Sequence, residues 1–194
     1  MSNLVTGRSG LKTCQLEPEL NALIDLAKKN NVQRYLEIGA RFGDTFYDIM
    51  TSLPIGSIGV CVDLPASLWG SNNSQSYLLE ACTELIKQGY KIECILGNST
   101  SPEVLQAVYD FSDFYDLVLI DGDHTYKGVK ADYLNYSERA GFVALHDIAG
   151  YGQRHSEGIN VEVPRFWEEI KAQKEHSWEF IAKGSKMGVG VVSI

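Results

Sequence analysis

Tyr35-Leu36-Glu37-Ile38-Gly39-Ala40-Arg41-Phe42-Gly43 reads as a buried apolar strand that ends in a carboxylate and runs into a glycine loop. The residues that follow continue as a helix, with Phe46, Ile49, Met50 and Leu53 at the 3–4 residue spacing of one helical face. A strand, a tight glycine turn and a helix N-terminus together form a place to put a ligand. Glycines allow backbone to approach backbone, or a ligand, where a Cβ would clash. The order of residues is E-x-G-x-x-x-G, and not the G-x-G-x-x-G that grips a pyrophosphate.

Outward from this stretch, strands and helices alternate. Helical stripes are expected at Leu20, Leu23, Ile24 and Ala27, around Tyr77 to Gln88, after Ser101-Pro102, over Thr125 to Ala140, and around Arg165 to Lys174. Strands are expected at Arg34–Ile38, Ile58–Asp63, Lys91–Leu96, Asp116–Ile120 and Phe142–Leu145, with a final pair at Trp178–Ala182 and Val189–Ile194. Five βα units closed by a hairpin predict a single α/β domain over 1–194. Residues 1–33 form an N-terminal segment and helix, and 34–194 form a doubly wound, mostly parallel seven-stranded sheet with an antiparallel edge. Trp167 and Trp178 are expected in the core, and Trp69 in a lid or oligomer contact.

Composition narrows the function. The chain has 194 residues, 44% apolar and 22% charged, enough for one full core. No apolar run approaches the roughly 20 residues of a membrane span, and the first ten residues lack a signal-peptide pattern, so a cytoplasmic location is expected. Cys14, Cys61, Cys82 and Cys94 have no C-x-x-C spacing, which favours free thiols over disulfides or zinc. The net charge of −8 is uneven: residues 1–34 carry +2, residues 35–150 carry −10 and the remainder is neutral. An acidic segment around the presumed site disfavours a nucleic-acid partner.

Ligands in open α/β sheets bind beyond the carboxyl ends of the strands. Those ends here read Glu37-Ile38-Gly39, Asp63-Leu64-Pro65, Gly97-Asn98-Ser99, Asp121-Gly122-Asp123-His124 and His146-Asp147, which puts five acids and two histidines on one rim. Asp63 stands where a carboxylate accepts the hydroxyls of a ribose, and Asn98 and Ser99 stand where an amide and a hydroxyl face a base. A nucleoside ligand without a pyrophosphate points to S-adenosylmethionine (SAM) over NAD. Asp121, Asp123, His124, His146 and Asp147 are a second constellation. It is suited to holding a divalent cation beside a substrate hydroxyl, or to taking that hydroxyl's proton; hydrogen-bonded turns would explain the same residues without a ligand. His155 and His176 are expected at the solvated surface.

The stretches YLEIGARFGDTF, VDLP, LGNSTSPEV, YDLVLIDGDHTYKGVKADY, FVALHDI and VPRFWEEIK resemble the class I SAM-dependent methyltransferases. They are closest to the small-molecule O-methyltransferases of the catechol-type, macrolide-sugar and cephalosporin-pathway kind. The resemblance implies the Rossmann-like fold of that class. It implies SAM contacts from Glu37, Gly39 and Gly43 at the methionine end, Asp63 at the ribose, and Leu64, Asn98 and Ser99 at the adenine, with Asp121 also beside the cofactor. Asp121, His146 and Asp147 match the metal-ligand positions of metal-dependent members, for Mg or Mn. Where relatives have an acid this chain has His146, a ligand better suited to manganese, iron or zinc. Asp123 and His124 match positions of a general base, with His124 preferred. The implied acceptor is a small hydroxylated molecule, its pocket shaped by the loops Ala66–Ser76 and Gly150–Val163, with the second subunit of a homodimer as a further contributor. An NAD(P)-dependent oxidoreductase and a SAM-binding protein without turnover remain open at this point.

Overall fold

The computed structural model describes residues 4–10, 12–64, 74–150 and 160–194, with the side chains of 12–14 left aside. In chain order its elements are β1 (Leu4–Thr6), β2 (Lys12–Leu16), α1 (Glu17–Lys29), β3 (Arg34–Ile38), α2 (Asp44–Ser52), β4 (Ile58–Asp63), α3 (Ser74–Lys87), β5 (Lys91–Leu96), α4 (Pro102–Phe111), β6 (Tyr115–Ile120), α5 (Tyr126–Tyr136), β7 (Ala140–His146), α6 (Val163–Lys171), β8 (Ser177–Phe180) and β9 (Val189–Ser193). Seven strands form one sheet in the order β5-β4-β3-β6-β7-β9-β8. The first five are parallel, and β9 pairs antiparallel with both β7 and β8.

The chain winds from β3 outward to β5, then returns to β6 on the other side of β3, so the direction of winding reverses between β3 and β6. A crevice opens at such a reversal because the connections leave in opposite directions. The two central strands are buried along nearly their whole length, and both faces carry apolar side chains. One face packs Leu20 and Leu23 of α1, Phe46, Ile49 and Met50 of α2, and Leu78 and Leu85 of α3. The other packs Val104 and Val108 of α4, Val129 and Tyr133 of α5, and Phe166, Trp167 and Ile170 of α6.

Local chemistry accounts for the helix ends. The Ser101 hydroxyl accepts from the Val104 N–H and Pro102 begins α4, while Thr125 accepts from the Gly128 N–H at the start of α5. Helix α1 carries acids in its first turn and lysines in its last, as its dipole favours. One of those acids, Glu19, is buried and accepts from the Ala182 and Gly188 N–H groups, which fastens α1 to the β8–β9 connection.

Two features differ from expectation. The N-terminal segment pairs as a two-stranded antiparallel sheet, β1 with β2, whose short strands leave almost no periodicity to read. Trp178 is 38% exposed because β8 is the sheet edge and one face of it meets solvent. Trp167, by contrast, is fully buried and lies flat on Gly190, where a Cβ would come within 2.7 Å of the indole. Trp69, Pro65, His155 and most of the two loops assigned to the acceptor site lie outside the described residues. Among the described residues no helix is long and apolar enough to cross a membrane.

Gly39 is the tightest junction of the sheet. Its φ is +89°, and a Cβ there would lie 2.2 Å from the Asp121 carbonyl oxygen. Gly39→Ala should therefore destabilise the protein by about 3 kcal/mol or more, the sum of left-handed strain and overpacking against backbone. Gly184→Ala has the same left-handed backbone (φ +79°) but nothing within 4 Å of the added carbon, and should cost only about 1 kcal/mol. Parallel urea melts measure both; equal losses would mean that the close approach to Asp121 is not what fixes Gly39.

Candidate active site

Period-two alternation decides which way the strand tips point. Tyr35, Cys61, Leu119 and Ala144 all face the α1–α2–α3 layer. The residues two further on, Glu37, Asp63, Asp121 and His146, must face the same way. A cavity of about 840 Å³ opens in front of them, and Glu37, Asp63, Asp121, His124, His146 and Asp147 all line it. This is within the usual size range of small-molecule sites, roughly 300–1,000 Å³.

The glycine loop is held from two sides. Gly39 donates to the Val62 carbonyl at 2.8 Å, and the Arg41 N–H donates to Asp63 Oδ1 at 2.9 Å. Gly39, Arg41 and Gly43 all have positive φ, so the loop coils tightly before Gly43 caps α2. Gly39, Ala40, Arg41 and Phe42 line the cavity, but Gly43 does not. Its missing side chain leaves room for Leu78 and Ala81 of α3, so Gly43 serves helix packing.

Asp63 has a spare bonding capacity. Its Oδ1 is taken by the Arg41 N–H, while its Oδ2 is buried with no hydrogen-bond partner among the described residues. Burial raises its pKa, and the Arg41 bond only partly opposes this. A buried carboxylate oxygen left unpaired costs free energy until a donor arrives. Glu37 is also almost wholly buried; burial is the main reason its pKa is pushed up to about 8, with Asp121 and Asp63 adding repulsion and the 2.6 Å bond from the Tyr35 hydroxyl opposing them.

The positions expected to face a base are partly committed. Asn98 Oδ1 accepts from the N–H and the hydroxyl of Thr100 in a local turn, leaving the amide NH2 for a ligand. The Ser99 hydroxyl donates to Asp132 at 2.6 Å and the Ser99 carbonyl accepts from Tyr136, so Ser99 is first a fastener between β5 and α5. Leu64 is about half exposed on the cavity wall. Asp132 lines the cavity too, nearly all buried, its pKa raised to about 6 mainly by burial. It lies inside the KGVKADY stretch, but the sequence does not single it out, since one acid on a helix face carries no periodic signal.

The second constellation resolves into two imidazole–carboxylate pairs. His124 Nδ1 lies 2.8 Å from Asp147 Oδ2, and His146 Nδ1 lies 3.0 Å from Asp121 Oδ1. His124 Nε2 is 3.6 Å from Asp121 Oδ1, which links the pairs. Gln15 adds a 3.1 Å bond to Asp121 Oδ2 from the end of β2, a contact that the sequence does not announce because β2 is too short to read. Asp147 turns back to reach His124 through a left-handed φ of +61°, a conformation that aspartate tolerates better than most residues. Burial alone would lower the His124 pKa, but the Asp147 bond and the charges of Asp121 and Asp147 outweigh it and the net shift is upward.

Asp123 and the metal positions fare differently. Asp123 is exposed and accepts from the Thr125 N–H at 2.9 Å, folded over Gly128 at the start of α5. That is a turn role. The donor atoms of Asp121, His146 and Asp147 do not gather round one point. Among the described residues the one trio whose donor atoms all lie within 4.8 Å of one another is Cys61, Cys82 and Cys94. The carboxylates face imidazoles at hydrogen-bond distance instead of converging with them on one point. His176 is exposed, as expected.

The family model of the methyltransferase domain matches residues 36–148, from the first central strand through the His146-Asp147 tip. The chain belongs to the methyltransferase-domain family. Its structural neighbours include an O-methyltransferase of Bacillus cereus solved in complex with SAH, at 15% identity and a TM-score of 0.66 over 96% of this chain and 86% of that one. They include the O-methyltransferase TomG of Streptomyces achromogenes, involved in tomaymycin synthesis and solved in complex with SAM, at 17% identity and 0.66 over 91% and 79%. The methyltransferase domain of bacterial CtHen1 matches at 15% identity and 0.60 over 92% and 98%. No curated protein sequence matches the chain. At such identities the likeness establishes the fold, which is that of the class I methyltransferases.

The raised Glu37 pKa has a measurable consequence in this methyltransferase without any ligand. A carboxyl whose folded pKa is about 8 against an ordinary 4.5 favours the folded state fully below pH 4.5, and that contribution is lost as pH rises through 8. Glu37→Gln should match the parent near pH 5 and exceed its stability at pH 9 by a few kcal/mol, on the order of 1.4 kcal/mol for each tenfold difference in proton affinity between the folded and unfolded chain. Denaturant melts at the two pH values test this; a Gln variant less stable at pH 9 would show that the carboxylate form is the favoured one.

Proposed function

We propose that this methyltransferase moves the methyl group of SAM to a hydroxyl oxygen of a small polar acceptor. The observation that carries the reading is that one cavity joins the unpaired buried Oδ2 of Asp63 at one end to the His124–Asp147 pair at the other. The SAH and SAM found in two neighbours and their description as O-methyltransferases support it. So does the strongly acidic 35–150 segment, which suits a cationic cofactor and an uncharged or cationic acceptor better than a polyanion.

The residues present fit SAM. Asp63 Oδ2 would accept from a ribose hydroxyl, ending its burial without a partner. Leu64 and the amide of Asn98 would meet the adenine. Gly39 to Phe42 would run along the methionine end, with Glu37 beneath. A sulfonium or ammonium charge near Glu37 favours its carboxylate, so binding should expel a proton from that group near neutral pH. When bound, SAM supplies an electrophilic methyl on sulfur, and the rest of the work belongs to the chain. Alignment of acceptor oxygen and methyl is worth up to about 7–11 kcal/mol in favourable cases. His124 takes the acceptor's proton at Nε2 while Asp147 holds Nδ1 and steadies the resulting imidazolium. His146 and Asp121 hold the neighbouring wall and position His124 from its other side. The reaction so drawn calls on no cation, and turnover should persist in EDTA.

Two measurements test it. His124→Ala should lower kcat by about 100- to 10,000-fold with little change in SAM affinity. Since the His124 pKa is raised, parent activity should climb with pH through a value above 6.5, and Asp147→Asn should move that rise to lower pH. Unchanged turnover in His124→Ala would remove the base. Separately, Asp63→Ala should weaken SAM binding by calorimetry at least tenfold; equal affinity would remove the ribose contact.

A further inference from the structure

Three of the four cysteines meet in the layer just beneath the cavity, on elements far apart in sequence. Cys61 is on β4 two residues before Asp63, Cys94 is its register partner on β5, and Cys82 comes down from α3. Cys61 Sγ and Cys82 Sγ are 3.5 Å apart, and all three sulfurs lie within 4.8 Å of one another. Cys61 and Cys82 are buried and Cys94 is half-buried; all three are free thiols. Side chains of the surrounding core, Leu78, Leu85 and Ile92 among them, are apolar.

We propose that Cys61, Cys82 and Cys94 form a binding site for a thiophilic d10 cation such as Zn2+. Bonds of about 2.3 Å from sulfur to a tetrahedral ion place the sulfurs about 3.8 Å apart, so the trio needs only small side-chain rotations to close on one. Thiolates select soft ions over the magnesium and calcium that carboxylates prefer. The trio also differs from a disulfide in waiting. A disulfide joins two sulfurs and would leave the third thiol idle, whereas one ion engages all three. Each sulfur–metal bond replaces an S–H bond, and the proton leaves to solvent. A water can complete a tetrahedral shell at the fourth position. An ion here would brace β4, β5 and α3 directly under Asp63, and so stiffen the rim on which the cofactor contact depends. The absence of C-x-x-C spacing hides the site in the sequence, since its ligands are 21 and 12 residues apart.

The test titrates the whole reduced chain, kept in a phosphine reductant, with Cd2+ as a spectroscopic probe and then with Zn2+ against a coloured chelator. The expected result is one Cd2+ per chain with a thiolate-to-metal absorption band in the near ultraviolet. Zn2+ should displace the band's signal, and both ions should raise the melting temperature. Cys94→Ser, at the most exposed of the three positions, should keep the parent's metal-free melting temperature and lose at least 100-fold in Cd2+ affinity. If that variant fails to fold, alkylation of the parent decides: bound Cd2+ should slow modification of Cys61, Cys82 and Cys94 together by at least tenfold. No band at one equivalent of Cd2+, or a band unaltered in Cys94→Ser, or no protection of the trio, would overturn the assignment and leave the cysteines as core packing.

Discussion

The contact between Gly39 and the backbone of Asp121 governs the rest of the structure. The two residues end neighbouring strands on either side of the point where the winding reverses, and they approach so closely that no Cβ fits between them. That approach lets the Asp121 N–H donate to the Ile38 carbonyl at 2.8 Å, extending the pairing of β3 and β6 past their formal ends. It also sends the two exit loops apart, one to Asp63 through the Arg41 N–H and the other to His124. The cavity is the gap left between them.

The cavity walls carry much unrelieved electrostatic cost. Glu37, Asp63 and Asp132 are all acids whose pKa values are raised by burial. Buried carboxylates are retained against that cost when a ligand or a reaction needs them. Two imidazoles bond two further carboxylates on the opposite side, whereas Asp63 Oδ2 at the other end has no hydrogen-bond partner among the described residues. An asymmetry of this kind suits a cationic ligand at one end and a proton transfer at the other.

Stability and function share the same parts. Ser99 ties α5 to β5 through Asp132 while lining the cavity. Asp44 starts α2 and also holds the Ser9 N–H and hydroxyl, which closes the β1–β2 turn over the helix end. Through that small sheet Gln15 reaches Asp121. The N-terminal segment is therefore part of the site.

How legible each part is follows from the range of the interactions involved. Strands β3, β4 and β5 can be read to the residue, because a run of apolar side chains between breakers is a local signal and their ends coincide with Glu37-Ile38-Gly39, Asp63 and Leu96-Gly97. The rim of acids and histidines can be read for the same reason: strand tips of a parallel sheet must converge. Pairing within the rim cannot, since His124 bonds Asp147 and not Asp123 only because Asp147 adopts a left-handed turn and Asp123 folds onto Gly128. Gly43, Ser99 and Asp132 likewise take their roles from packing against α3 and α5, elements remote in the chain. The cysteine trio is the extreme case, with spacing that suggests nothing until register places Cys61 beside Cys94. The alternation of elements, the order of polar strand ends and hence the face on which a ligand must lie are all written in the residue order, because they depend on neighbours along the chain. Which polar groups satisfy one another and which, like Asp63 Oδ2, are left for a ligand emerges only on folding, because that depends on distances of an ångström between residues that the chain keeps far apart.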